Sequence, residues 1–369
     1  MGTGRWLLLR IGASFLLSIG ALFHHMPAER PMNEKSNPTP RRSTGIRRIA
    51  RSIWYVREGV AEIRTTSLSI PPEGFALVRS VFTGISRGTE RLVLAGKVPE
   101  AERVRMRAPL QEGAFPFPVK YGYCAVGVVE AGPAEMIGRT VFCLHPHQDW
   151  FLAPLDMLVP VPEDVPSRRA TLAANMETAL NAVWDSGAGP ADRIVIVGAG
   201  IVGLMVTALA VRIPGADVTV IDIAEDRRRL VESFGARFAT APFSASAGAD
   251  VVFHTSVSAA GLNAAIASAG LEGTVVEMSW YGDREVPALL GGAFHSQRLK
   301  LVSSQVGQVS ATHRPRWTYR RRMEAALRLL ADERLDALVA DEISFADAPT
   351  ALPRILGPEA SGLAPVIRY

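Results

Sequence analysis

The stretch that decides the fold reads Arg193-Ile-Val-Ile-Val-Gly-Ala-Gly-Ile-Val-Gly-Leu-Met-Val-Thr-Ala-Leu-Ala-Val-Arg-Ile213. An apolar strand leads into three glycines and then into an apolar helix. Gly198 permits a tight turn, Gly200 lets the backbone approach a pyrophosphate, and Gly203 lets the helix pack on the strand. The helix start, with Ile201 and Val202, then faces the phosphates. This order predicts the phosphate-binding turn of a parallel α/β sheet.

An acidic residue follows the next predicted strand. Asp222 ends the apolar run 218–221 and stands 19 residues after Gly203. A carboxylate there can accept both ribose hydroxyls of a dinucleotide and would repel a 2′-phosphate, which favours NAD over NADP. Two alternatives stay open: Asp222 only caps the following helix, or Arg227 and Arg228 accommodate NADP.

The flanking sequence divides into regions that differ in the spacing of their apolar residues. Short β-like runs predict a mostly antiparallel β unit over 48–170. Strands alternating with helices over 171–317 predict a doubly wound parallel sheet, the Rossmann type of α/β fold. The helical run 322–331 and the strand-like run 339–345 are expected to rejoin the β unit, so that 318–369 complete it.

Charge is distributed unevenly along the 369 residues. The chain carries 40 Lys and Arg against 36 Asp and Glu, but residues 1–51 hold nine of the cations and two of the acids, which leaves 31 against 34. The remainder is mildly acidic, which excludes a basic nucleic-acid groove. The cations at 314–322 are interpreted as a solvated helix start. A small-molecule substrate is the expected partner.

The first 47 residues are predicted to be a disordered leader or the product of a mis-assigned start, with Met32 as the true first residue. The apolar run 6–23 resembles a signal peptide or a short anchor, but Arg10 splits it below the length of about 20 residues that a membrane helix needs. Only Cys124 and Cys143 occur in the chain, which excludes a disulfide scaffold. We therefore expect a cytoplasmic protein without membrane attachment.

Two further motifs carry a family resemblance. Residues 84–90, Gly-Ile-Ser-Arg-Gly-Thr-Glu, resemble the Gly-Ile-Cys-Gly-Ser-Asp loop of zinc-dependent medium-chain dehydrogenases/reductases, with Ser86 in place of the zinc-binding Cys. Residues 121–127 resemble their Gly-His-Glu segment, with Tyr123 and Cys124 in place of His and Glu. From about residue 50 onward the chain is similar to this superfamily. The resemblance implies a GroES-like β domain, a Rossmann domain and a homodimer.

Zinc is not expected, because the hydroxyls of Ser86 and Tyr123 are poor zinc ligands. Residues 84–93 and 96–99 look most like the zinc-lacking branch that contains the bacteriochlorophyllide hydroxyethyl dehydrogenase. This branch implies hydride transfer between a nicotinamide cofactor and an alcohol or carbonyl, with the substrate open. Two other functions stay open: a dinucleotide-binding sensor or scaffold without turnover, and a zinc-dependent alcohol dehydrogenase.

Four side chains are the candidate catalytic residues. Ser86, Thr89 and Tyr123 occupy or adjoin the family's ligand positions and are expected to face the cleft. Tyr123 serves as a proton donor or relay only if a cation lowers its pKa from about 10; the alternative is a tyrosine buried in the core. His147 is the candidate general base. It lies in 143–149, where Cys143, His145, His147 and Asp149 could instead bind a metal.

Three further positions have weaker support. Glu177 falls near a third zinc ligand of the superfamily, or is a helix salt-bridge residue. The segments 280–282 and 294–295 follow strand ends of the parallel sheet. Their aromatic residues either line the nicotinamide half of the cleft or only pack against neighbouring side chains.

Overall fold

The apolar run Arg193–Val197 forms a central strand of a parallel sheet. In a computed structural model it pairs with Asp217–Ile221 on one side and Ala249–His254 on the other, both in the same direction. The structure describes residues 48–241, 248–339, 341–357, 360 and 362–369.

The strands of the described part of the chain are numbered in chain order. They are β1 Arg48–Arg57, β2 Val60–Leu68, β3 Phe75–Gly84, β4 Glu112–Gly113, β5 Val119–Lys120, β6 Ala125–Ala131, β7 Thr140–Cys143, β8 Trp150–Pro154, β9 Val159–Pro160, β10 Arg193–Val197, β11 Asp217–Ile221, β12 Arg237–Ala239, β13 Ala249–His254, β14 Ala269–Glu277, β15 Lys300–Ser303, β16 Glu342–Ser344 and β17 Val366–Arg368.

The α-helices are numbered in the same way. They are α1 Arg87–Leu94, α2 Ser167–Ala170, α3 Ala173–Ser186, α4 Ile201–Ala210, α5 Arg228–Ser233, α6 Ala259–Ser268, α7 Tyr319–Leu329 and α8 Ala348–Ile355. Short 3-10 helices cover Glu100–Glu102, Leu155–Met157, Glu225–Arg227 and Glu333–Leu338, and a π-helical turn covers Leu290–Phe294.

The parallel sheet has helices on both faces. Its strand order is β12-β11-β10-β13-β14-β15. Along β10, Ile194 and Ile196 point into a core shared with α3 and α4, while Val195 and Val197 point into a second core with α6. A fully parallel sheet needs this cover on both faces, because connections between parallel strands cross over as helices. The fold is the predicted doubly wound α/β type.

The remaining strands, which lie before and after this unit in the chain, form two mostly antiparallel sheets in which β16 and β17 are the parallel pair. One has the order β2-β1-β5-β4, and the other has the order β16-β17-β3-β6-β7-β9 with β8 also paired to β3. The strands β16 and β17 come from the end of the chain, and β17 pairs antiparallel with β3. Strand β3 ends at Gly84, so these pairings fix the start of the segment that carries Ser86.

Two elements differ from their predictions for local reasons. Residues 87–94, expected as part of a loop, form α1, which buries Glu90, Val93 and Leu94 on one side. The sequence pattern also predicts a helix over 224–234, but α-helix covers only Arg228–Ser233, because Asp222 holds a turn at the N–H of Ala224 and Glu225–Arg227 form a 3-10 helix.

The predictions for residues 1–47 lie outside the described residues. Within the described part, no helix is long and apolar enough to span a bilayer. The described residues belong to one compact unit. The boundaries 48–170, 171–317 and 318–369 stay predictions.

Candidate active site

The glycine turn has the geometry that its sequence predicts. Gly198 has φ +110°, which favours glycine, and a Cβ on Gly203 would lie 1.9 Å from the carbonyl oxygen of Gly198. Gly203 is therefore required for the helix to approach the strand. A Cβ on Gly200 would meet no described atom within 4 Å. Gly200 thus borders open space at the start of α4, next to the half-buried Ile201 and Val202, and these residues fit a dinucleotide pyrophosphate.

Asp222 lies against this turn. Its Oδ2 accepts the N–H of Ala199 at 2.5 Å, and its Oδ1 accepts the N–H of Ala224 at 2.8 Å. The capping alternative therefore describes part of its role, but each carboxylate oxygen keeps a further acceptor site. Arg228 is bound to Glu225 at 2.5 Å, so its charge is already partnered.

Three of the candidate catalytic side chains come together. The Tyr123 hydroxyl donates to Ser86 Oγ at 2.5 Å, and Thr89 also hydrogen-bonds to Tyr123. Tyr123 precedes β6, Ser86 precedes α1, and Thr89 lies in the first turn of α1. Half-buried Tyr123 packs against the core of the antiparallel sheets and against the core that includes α3 and α4. The cluster therefore lies where the two parts of the fold meet.

The expected lowering of the Tyr123 pKa is not found in the cofactor-free chain. Burial raises it well above 10, and Cys124 acts in the same direction, while the hydrogen bonds to Ser86 and Thr89 lower it. Tyr123 is therefore a neutral phenol that donates a hydrogen bond.

A buried carboxylate lies behind this cluster. Glu90 is 0% exposed and accepts hydrogen bonds from the Tyr55 hydroxyl at 2.6 Å and the backbone N–H of Ser86 at 2.8 Å. His147 Nε2 lies 3.0 Å from Glu90, and its Nδ1 lies 2.7 Å from Thr83 Oγ1. Glu90 thus fixes the backbone of Ser86 and connects it to His147.

His147 does not occupy the position of a general base on substrate. Its two ring nitrogens face Thr83 and Glu90, and it reaches the hydroxyl cluster through Glu90. We therefore assign it a positioning role. Sequence reasoning missed Glu90. The signal was detectable, because Glu90, Val93 and Leu94 fall at positions i, i+3 and i+4 and therefore share the buried side of α1.

The other residues of 143–149 point to different partners. His145 stacks on Phe151 with ring centroids 4.0 Å apart, and burial, followed by the charge of Lys120, lowers its pKa to about 3. Asp149 pairs with Arg51 at 2.9 Å. These side chains do not converge on a metal.

Glu177 and Cys124 are both buried in the structure. Glu177 forms a buried ion pair with Arg322 at 2.9 Å, as the salt-bridge alternative predicted. Cys124 is buried, and its thiol pKa is raised by that burial and by Glu90. No group of three or more His, Cys, Asp or Glu residues in the described ranges lies close enough to hold a metal ion.

Other predicted positions have structural partners. Trp280 packs on the core of the antiparallel sheets, and a Cβ on Gly282 would lie 2.9 Å from the Lys97 carbonyl oxygen. Phe294 packs under the parallel sheet, and His295 is exposed. The interpretation of 314–322 as solvated is wrong for Arg322, which is 2% exposed because it pairs with Glu177 and binds the carbonyl of Val306.

Comparisons with known proteins agree with this architecture. A family model described as zinc-binding dehydrogenase matches residues 202–332. L-idonate 5-dehydrogenase from Escherichia coli K-12 superposes with a TM-score of 0.72 at 16% identity, covering 89% of this chain and 100% of that one.

Two further solved structures contain a cofactor. A proposed zinc-binding dehydrogenase from Sinorhizobium meliloti 1021, bound to NADP, has a TM-score of 0.70 at 17% identity, covering 87% of this chain and 100% of that one. A protein from Escherichia coli CFT073 named a short chain alcohol dehydrogenase, in complex with NADH, has a TM-score of 0.68 at 14% identity, covering 87% and 99%. At these identities the shared property is the fold.

Proposed function

We propose that the chain is a zinc-independent, NAD-dependent oxidoreductase that transfers hydride between the nicotinamide and an alcohol or carbonyl substrate. The observation that carries the proposal is the hydrogen-bonded pair Tyr123–Ser86, placed where the two parts of the fold meet and in a chain with an intact glycine turn. The zinc-lacking branch named above supplies the reaction type and not the substrate. A homodimer, a cytoplasmic location and the domain boundaries given above belong to the same proposal.

The cofactor would be held by the glycine turn and Asp222. Gly198 and Gly203 shape the turn, Gly200 leaves space for the pyrophosphate, and the free acceptor sites of Asp222 favour an unphosphorylated ribose. The bound nicotinamide supplies or accepts the hydride. Since one similar fold is solved with NADP, both cofactors belong in the assay.

The hydroxyl cluster would hold the substrate oxygen. The neutral Tyr123 phenol is suited to turn from Ser86 Oγ and donate a hydrogen bond from its Oη to a carbonyl oxygen as negative charge develops on it. Transfer of its proton requires a neighbouring cation, such as the oxidised nicotinamide ring, to lower its pKa. Ser86 Oγ and Thr89 orient that phenol, and Glu90 fixes Ser86 through its backbone N–H. The arrangement favours the reductive direction.

The test is a screen of alcohols and carbonyls with NAD(H) and NADP(H), followed at the absorbance of the reduced cofactor. We expect turnover with at least one class, a preference for NAD(H), and no stoichiometric zinc by metal analysis of the purified protein. Preference for NADPH would overturn the role given to Asp222, and stoichiometric zinc would overturn zinc independence. NADH binding without turnover on any class would favour a sensor.

Tyr123→Phe tests the role of the phenol. We expect kcat for carbonyl reduction to fall about 10²–10⁴-fold, the contribution typical of a positioned proton donor, while NADH affinity measured by fluorescence stays the same. Tyr319→Phe is the matched control, because the Tyr319 hydroxyl donates to Gly307 on the surface. Unchanged turnover in Tyr123→Phe would remove the phenol from the mechanism.

A further inference from the structure

A serine, a histidine and a glutamate form a hydrogen-bonded row at the carboxyl edge of the parallel sheet. His254 ends β13 and Glu277 ends β14, and the two residues are paired in register. His254 Nδ1 lies 2.7 Å from Glu277 Oε2, and His254 Nε2 lies 2.8 Å from Ser256 Oγ. The hydride-transfer path proposed above uses none of these side chains.

The histidine and the glutamate are held in place by further contacts. His254 is 0% exposed, and Glu277 accepts the Ser279 N–H at 2.7 Å and the Tyr281 hydroxyl at 3.2 Å. Because a carboxylate only accepts, the imidazole donates from Nδ1 and presents Nε2 as an acceptor to the serine. This tautomer is the one that a general base beside a serine requires.

The serine lies on a tight strand-to-helix connection. Ser256 is half-buried between β13 and α6, and the next residue, Val257, has φ +54°. A left-handed β-branched residue stores backbone strain and is typical of functional turns. The helix approaches so closely that a Cβ on Gly261 would lie 1.9 Å from Ser256 Oγ. The first turn of α6 therefore lies directly against the Ser256 hydroxyl, with the Gly261 N–H donating to the neighbouring Ser258 Oγ at 3.0 Å.

We propose that Ser256, His254 and Glu277 are nucleophile, base and orienting acid of a second activity, the hydrolysis of small acyl esters. Ser256 Oγ bonds to the carbonyl carbon as its proton passes to His254 Nε2. The ester C–O bond breaks, and the alcohol leaves with that proton. Water then gives a proton to Nε2 and bonds its oxygen to the acyl carbon. The acid is released as Oγ recovers the proton.

The activity belongs to the cofactor-free chain. A Cβ on Gly198 would lie 3.0 Å from the backbone nitrogen of Ser256, so the serine adjoins the turn that would hold the pyrophosphate. The assay therefore needs no nicotinamide cofactor, and its failure would leave the dehydrogenase proposal untouched.

The experiment treats cofactor-free protein with a fluorophosphonate and measures hydrolysis of p-nitrophenyl acetate. We expect the label on the peptide that contains Ser256, and a fall in kcat/KM of at least about 100-fold in Ser256→Ala. Ser233→Ala is the matched control, because Ser233 is exposed on α5 and its hydroxyl donates to the Leu230 carbonyl, away from the three proposed residues.

His254→Gln provides a second readout, because loss of the base should slow labelling of Ser256 by a similar factor while the hydroxyl stays in place. Thermal melts establish that each variant is folded. Labelling that avoids Ser256 in the folded wild type, or hydrolysis in Ser256→Ala at the wild-type rate, would overturn the triad.

Discussion

At the scale of single residues, Glu90 is the group that organises the candidate site. Its carboxylate is fully buried, yet it faces the Tyr55 hydroxyl, the backbone N–H of Ser86 and the imidazole of His147. A buried carboxylate persists only when its oxygens are hydrogen-bonded in this way. Removing its charge would leave three partners without the acceptor around which they are arranged.

Glu90→Gln should therefore destabilise the fold. Each buried donor that loses its charged acceptor costs about 1–3 kcal/mol, which should appear in the free energy of unfolding measured with urea. Glu130→Gln is the control, because Glu130 pairs with Arg79 on the surface and its loss should cost below about 1 kcal/mol. A Glu90 variant as stable as that control would show that the network does not support the site.

Site residues differ in how far the sequence reveals them. Ser86, Tyr123 and the glycines were predictable because each lies within a short motif. Tyr55 and Thr83 were not, because they approach Glu90 and His147 from strands of two different sheets, and only tertiary packing brings these residues together. A contact made across sheets leaves no local pattern in the chain.

At the scale of elements, the parallel strands were the most predictable part of the fold. The apolar strand predicted before the glycine turn is found as β10, and the predicted run 218–221 lies within β11, because strands buried on both faces read as uninterrupted apolar runs. Helix α1 was not predicted because it begins with Arg87 and Gly88, and the buried side that follows them is short. Helix α5 is shorter than predicted because a turn held by Asp222 and the 3-10 helix Glu225–Arg227 replace its first residues.

The glycine turn gives a prediction at this scale, since two of its glycines serve different purposes. Gly200→Ala should leave the melting temperature within about 2 °C of wild type, because the added methyl meets open space at φ −75°, but should weaken NADH binding where the pyrophosphate would lie. Gly203→Ala should lower the melting temperature, because its methyl would overlap the Gly198 carbonyl.

The measurement is calorimetric titration with NADH alongside thermal melts of both variants. If Gly200→Ala binds NADH as tightly as wild type, the cofactor does not cross this turn. If Gly203→Ala has the same melting temperature as wild type, the close approach of helix to strand is not needed for the fold.

At the scale of the whole molecule, stability should depend on pH through a buried histidine. His145 lies against Phe151, and burial, followed by Lys120, lowers its pKa to about 3. In the unfolded chain its pKa is about 6.5. At pH values between these two pKa values, His145 binds a proton in the unfolded state but not in the folded state. The contribution of His145 to stability is therefore complete above pH 6.5 and is lost as the pH falls towards 3.

His145→Gln should remove this dependence. Between pH 6 and pH 4 the free energy of unfolding of the wild type should fall more steeply than that of the variant, by up to about 1.4 kcal/mol per pH unit. Carboxylates titrate in the same range, but they are common to both proteins and cancel in the difference. His295→Gln, a change at an exposed histidine, should retain the wild-type slope. Parallel slopes for wild type and His145→Gln in urea unfolding across this range would mean that the imidazole gains its proton without unfolding the chain.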